Sequence, residues 1–166
     1  MRDKHLTIYL HDHLATVAAE HDLATRVGSE NPNSPLGDFM VELASDLSAQ
    51  RALIENILEA LGHRRGTWKT GVARLAERMG RLKLNDNLTG YSDLSRLEEL
   101  EGLVAAAAGR LCLWDTLAGA LGADDQFRNY DFAELHRQTS EHIRRLRELH
   151  LSAAKTALVG NSPPTG

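Results

Sequence analysis

Proline placement is the strongest constraint on this chain. All four prolines (Pro32, Pro35, Pro163 and Pro164) fall outside the segments in which apolar residues recur every three or four positions. Proline breaks a helix interior and a central strand alike, so its exclusion marks where regular structure runs uninterrupted. The period within those segments is helical, and no strand-length run of strict alternation bounded by turn residues occurs. The chain reads as all-α.

Four long helices follow. The first spans about Asp3 to Val27, with Leu6, Leu10, His13, Val17, Glu20, Ala24 and Val27 on one stripe and Gly28 as its expected C-cap. Ser34 is an expected N-cap and Pro35 an N1 residue for the second helix. That helix carries Leu36, Met40, Leu43, Leu47, Gln50, Ile54, Ile57 and Leu61 inward and ends at Gly62. The third opens at Ser92 or at Ser95, where Glu98 gives a capping-box spacing. It carries two stripes: Leu97, Glu101, Val104, Ala108, Leu111, Asp115 and Ala118 form one, and Leu100, Leu103, Ala107, Trp114 and Leu121 form another. Asp131 and Glu134 repeat the cap spacing for the fourth, which turns Phe132, Leu135, Thr139, His142, Leu146, Leu149 and Ala153 inward.

The loop between the first two helices is short and makes them antiparallel neighbours. The stretch between the second and third is far longer than a helical hairpin needs. It reads as a crossover containing a short helix with Trp68, Val72, Leu75 and Met79 on one face. Residues 1–160 are expected to form a single bundle domain, and 161–166 a disordered tail.

Two long hairpins joined by one long connection is the layout of ferritin-like bundles. The segments Tyr-Leu-His-Asp-His-Leu (9–14) and Gly-Arg-Leu-Lys-Leu-Asn (80–85) are similar to an uncharacterised bacterial branch of ferritin-like proteins. The resemblance implies a ferritin-like four-helix bundle with a long crossover between helices 2 and 3. Di-iron members take a Glu from each of two helices and a Glu-x-x-His from each of the other two. That motif is missing here: Ser45 follows Glu42 by three, Ala49 follows Asp46, Arg137 follows Glu134, and Arg144 follows Glu141.

Polar residues still interrupt the inward stripes near mid-height. Glu20, Gln50, Glu101 and His142 are the candidates for a polar core, with His13 beside them. A buried carboxylate needs a partner or an ion. The bland reading is a hydrogen-bonded polar core. Its rival is a reduced site in which Glu20, Glu101 and His142 hold a single Fe, Mn or Zn ion. His11 and His13 lie two apart on a helix and cannot chelate one ion.

The single cysteine, Cys112, excludes an internal disulfide and a cysteine-based zinc site, and is expected to be a buried, inert thiol. No apolar run approaches the ~20 residues of a membrane span. The opening Met-Arg-Asp-Lys-His leads into no signal-peptide core, so the expected location is cytoplasmic. Arg64, Arg65, Lys69, Arg74, Arg78, Arg81 and Lys83 make the crossover basic. The net charge of −4 and the lack of interleaved aromatics argue against nucleic acid or an anionic surface as its partner. Ile8, Leu14 and Ala18, the crossover face, and Leu113, Trp114 and Leu117 exceed what one core stripe per helix needs. Such a surplus points to a homodimer.

The expected function is therefore that of a non-catalytic, ferritin-like helical bundle without a cofactor, acting through protein interaction or assembly. The alternative is a metal-binding ferritin-like protein with iron-handling or oxidoreductase chemistry.

Overall fold

Ser34 starts the best-defined hairpin. Its backbone is extended, its Oγ accepts from the Gly37 N–H at 3.1 Å, and Pro35 occupies the first helical position. The computed structural model describes residues 2–62 and 91–159. Among them are four long α-helices and no strand: α1 (Arg2–Glu30), α2 (Pro35–Ala60), α3 (Asp93–Leu121) and α4 (Phe132–Ala154). A 3₁₀ turn at Asp125–Phe127 precedes α4, and a π-helical turn at Lys155–Val159 extends it. The amphipathic segment expected within the crossover and the expected tail lie outside the described residues.

Caps fix most of the boundaries. Gly62 ends α2 with φ of +84°, a left-handed geometry that costs glycine little. Ser92, not Ser95, caps α3: its Oγ accepts from the Ser95 N–H at 3.1 Å. Asp131 caps α4 by accepting from the Glu134 N–H at 2.9 Å. Gly28 is not a C-cap. α1 runs on to Glu30, and a Cβ at Gly28 would lie 3.2 Å from the Met40 Cβ. The glycine is there for the close approach of α1 to α2.

Cross-helix pairs give the directions. Tyr9 meets Thr116, Glu20 meets Arg110 and Arg26 meets Glu99, so α1 and α3 are antiparallel. Glu42 meets Arg145, Asp46 meets His142 and Gln50 meets Gln138, so α2 and α4 are antiparallel. Gly62 and Tyr91 lie at opposite ends of the bundle. The Ala60 carbonyl accepts from Gln126 beside the α3–α4 loop, whereas the Tyr91 hydroxyl accepts from Asn31 beside the α1–α2 loop.

One core runs through the bundle, and Leu10, Leu14, Val17, Met40, Leu43, Leu47, Ile54, Leu100, Leu103, Leu113, Trp114 and Leu146 are fully buried in it. In α3 it is the second stripe that faces inward, joined by Leu97, Arg110, Leu113 and Leu117. Leu14, Ala18, Leu113, Trp114 and Leu117, read from the sequence as surplus, belong to this core. α1 contacts both α2 and α3, so its buried arc is wider than a single stripe. Among the described members of that group only Ile8 stays half exposed. Cys112, expected inside, is exposed, because Arg110, Leu113 and Trp114 turn their side of α3 inward and Cys112 out. Among the described residues α3 alone is long and apolar enough to cross a membrane by length and composition, and only marginally; its inward stripe is the core of this bundle.

Candidate functional site

The spacing of a few polar residues brings four helices together at one height. Asp46 and Gln50 are four apart on α2, Arg110 and Trp114 four apart on α3, and Thr139 and His142 three apart on α4. Each pair therefore shares a helix face. Glu20 completes the set from α1. Six of these seven are almost wholly buried, and Asp46 is partly exposed.

The Arg110 guanidinium is the centre. Its Nε donates to Glu20 Oε2 at 3.0 Å and its Nη2 to Glu20 Oε1 at 2.8 Å, a two-pronged pair matching the planar fork of arginine to a carboxylate. Its Nη1 donates to Gln50 Oε1 at 2.8 Å and to Thr139 Oγ1 at 3.1 Å, and lies 3.4 Å from His142 Nδ1. Thr139 Oγ1 also accepts from the Trp114 indole at 3.0 Å. Two contacts lead outward: Gln50 Nε2 donates to Gln138 at 2.6 Å, and His142 Nε2 lies 2.9 Å from Asp46 Oδ2.

Charge follows from this geometry. Burial pushes the Glu20 carboxyl above its ordinary range, opposed by the charge and hydrogen bonds of Arg110. The two-pronged contact requires both oxygens as acceptors, so Glu20 is ionised against the guanidinium. Burial also pushes the His142 imidazole down, and the Arg110 charge adds to that, while Asp46 pulls the other way. Nδ1 faces a group that can only donate. His142 is therefore the neutral tautomer that accepts at Nδ1 and donates from Nε2 to Asp46.

Of the sequence candidates, the structure brings Glu20, Gln50 and His142 together. It does not bring Glu101. That residue lies on the exposed side of α3, its side chain 61% exposed and 3.2 Å from His150 Nε2. The trio of Glu20, Glu101 and His142 as a metal site is thereby overturned: Glu101 belongs to the stripe that faces out. The remaining donors do not fit a metal either. Both Glu20 oxygens and the Gln50 oxygen are bound to a permanent cation, and His142 Nδ1 faces it. Among the described residues no group of three or more His, Cys, Asp or Glu side chains could hold a metal ion.

Sequence reading missed Arg110. The signal was present, because Arg110 is the one basic residue between Leu97 and Leu121 and falls on the register of Leu103, Ala107, Trp114 and Leu117. A second polar cluster sits at the α1–α2 loop end. There Asn31 donates to the Tyr91 hydroxyl and accepts from Arg96, and Glu99 is buried beside Arg26. His13 is apart from both, its ring edge-on to Tyr9 with centroids 4.5 Å apart, and burial pushes its pKa down. A groove of about 420 Å³ lies on the outer side of α3 and α4, lined by Glu101, Val104, Ala105, Ala108, Arg147, His150 and Leu151, away from the polar centre.

Compared with family models, curated proteins and solved structures, the chain matches none.

Proposed function

We propose that this chain is a ferritin-like bundle in which an arginine stands where di-iron members hold metal, and that it acts without catalysis, through protein interaction or assembly. One observation carries the reading: the Arg110 guanidinium sits where inward polar residues from all four helices converge. Di-iron bundles draw one Glu from each of two helices and a Glu-x-x-His from each of the other two. In this chain Glu20 on α1 matches a single Glu, and Arg110 on α3 takes the place of the other. Gln50-Arg-Ala-Leu53 and Thr139-Ser-Glu-His142 take the places of the two i, i+3 motifs, with only His142 retained.

The antiparallel hairpins support the same layout. Gly62 and Tyr91 lie at opposite ends of the bundle, which supports a layout with a long connection between α2 and α3. With a fixed cation at its centre, the bundle retains the fold and the charge balance of a metal site but no open coordination position. Its remaining capacity lies on the outside, where Leu94, Leu151, Leu158 and Val159 are each more than half exposed. Homodimerisation is the simplest assembly for such a surface.

Metal analysis of protein purified without chelator, paired with Co(II) titration of an Arg110→Glu/Thr139→Glu variant, tests the reading. The expected result is no stoichiometric metal in the wild type and a saturable Co(II) absorption band in the helical, folded variant. One equivalent of Fe, Mn or Zn in the wild type, lost on His142→Ala, overturns it. Light scattering tests the assembly, with a mass near twice 18.3 kDa expected.

A further inference from the structure

The polar centre reaches the surface through few atoms. Glu20 and Arg110 have fully buried side chains and His142 is 4% exposed, whereas Asp46, hydrogen-bonded to His142, is 30% exposed. His142 thus stands between a carboxylate that meets water and a guanidinium that does not. We propose that His142 is an acid-operated latch: protonation at Nδ1 sets a second donor and a second positive charge against Arg110, and α4 releases its hold on the buried centre.

The argument is one of donors and acceptors. The neutral ring offers Nδ1 as an acceptor to Arg110 Nη1 at 3.4 Å and gives its Nε2 proton to Asp46 at 2.9 Å. The protonated ring has no acceptor left, because both nitrogens carry hydrogen. Asp46 remains satisfied, but the Arg110 side becomes a contact between two cations in a medium that screens them poorly. Arg110 cannot give way by losing its proton, and Glu20 already holds its far edge.

Every element around His142 contributes charge. α3 supplies Arg110, and α1 supplies Glu20 beyond it. α2 supplies Asp46 and, one turn earlier, Glu42, both of which favour the protonated ring. On α4, Arg145 lies over the Phe39 ring at 4.0 Å and bonds Glu42 at 2.8 Å, and Glu141 faces outward in a pair with Arg144. Burial and Arg110 outweigh these carboxylates and hold the imidazole below its ordinary 6.5. A depressed pKa in the folded state means that the unfolded chain takes up the proton first. Stability conferred by the neutral ring is complete above pH 6.5 and is lost as pH falls toward the folded-state value.

Urea unfolding at pH 7.5 and pH 5.0, on wild type and His142→Asn, provides the test, since the Asn amide oxygen offers an acceptor near Nδ1 and does not titrate. In the wild type, acidification should raise the unfolding constant through this one group by up to about 30-fold, the limit for a site of unfolded pKa 6.5. The variant should lack that increment, whereas His13→Gln should retain it. Amide exchange on the wild type covers the case of an unfolded variant: protection of residues 138–146 should fall at pH 5.0 before that of the α1–α2 hairpin. Equal acid sensitivity in wild type and His142→Asn, or uniform loss of protection, overturns the latch.

Discussion

Arg110 and Glu20, 90 residues apart in sequence, meet edge to edge with neither side chain exposed to water. Removing two charges from water is costly, and their attraction offsets that cost only when the remaining donors are also satisfied. Gln50 and Thr139 supply that satisfaction. The pair ties the two hairpins together, since α1 belongs to one and α3 to the other.

Breaking the pair from one side strands a charge. Arg110→Met should destabilise by about 3–5 kcal/mol, because Glu20 is left buried without its cation. The Glu20→Leu/Arg110→Met double variant should recover most of that loss. Urea unfolding of the wild type, both single variants and the double variant gives the coupling directly. An Arg110→Met loss below about 1 kcal/mol would mean that Glu20 is neutral or hydrated.

Thr139 is the shared acceptor of Arg110 and Trp114. Thr139→Val keeps the shape but leaves the indole N–H and one guanidinium donor without that oxygen. A loss of about 1–3 kcal/mol is expected, the usual cost of an unsatisfied buried donor. Thr139→Ser, which retains the hydroxyl, should lose less. Equal losses for the two variants would count against the hydrogen bonds.

Glu101 should behave as a surface residue. Among the described residues it pairs with His150, and an exposed pair of this kind contributes little. Glu101→Ala should change stability by no more than about 0.5 kcal/mol in thermal unfolding. A loss of several kcal/mol would restore the inward placement that its spacing suggested.

The contrast between Glu101 and Arg110 shows how far periodicity carries. In α2 the apolar positions are separated by polar ones, so one face stands out and Met40, Leu43, Leu47, Gln50, Ile54 and Ile57 are all buried as their spacing implies. In α3 the run from Leu103 to Gly109 is apolar on every side. Two registers then fit equally well, and the choice between them depends on α1 and α4, not on the helix itself. Arginine in such a run is ordinarily assigned to solvent. Only the convergence of Glu20, Gln50 and Thr139 makes its burial favourable, and that convergence is tertiary. Glu20, Gln50 and His142 were legible because each is a polar residue on a largely apolar stripe.

Glycine offers a test of the hairpin that is independent of charge. At Gly37, in the first turn of α2, a Cβ would overlap the carbonyl oxygen of Asn31 and crowd its carbon. Those are backbone atoms, and they are not free to move. Asn31 is buried, donates to the Val27 carbonyl at 2.8 Å and accepts from Arg96 at 3.0 Å; its carbonyl accepts from Ser34 Oγ at 2.7 Å. Gly37→Ala therefore has to displace the α1–α2 loop or the start of α2, and a loss of about 1–3 kcal/mol is expected, as for overpacking elsewhere. Gly109 is the control. It lies mid-way along α3, and a Cβ there would meet nothing within 4 Å. Gly109→Ala should stabilise by about 0.5–1 kcal/mol, since alanine loses less backbone freedom in a helix. Melting temperatures should move in opposite directions. A neutral Gly37→Ala would show that α1 and α2 do not approach as closely at this loop as the Asn31 carbonyl requires.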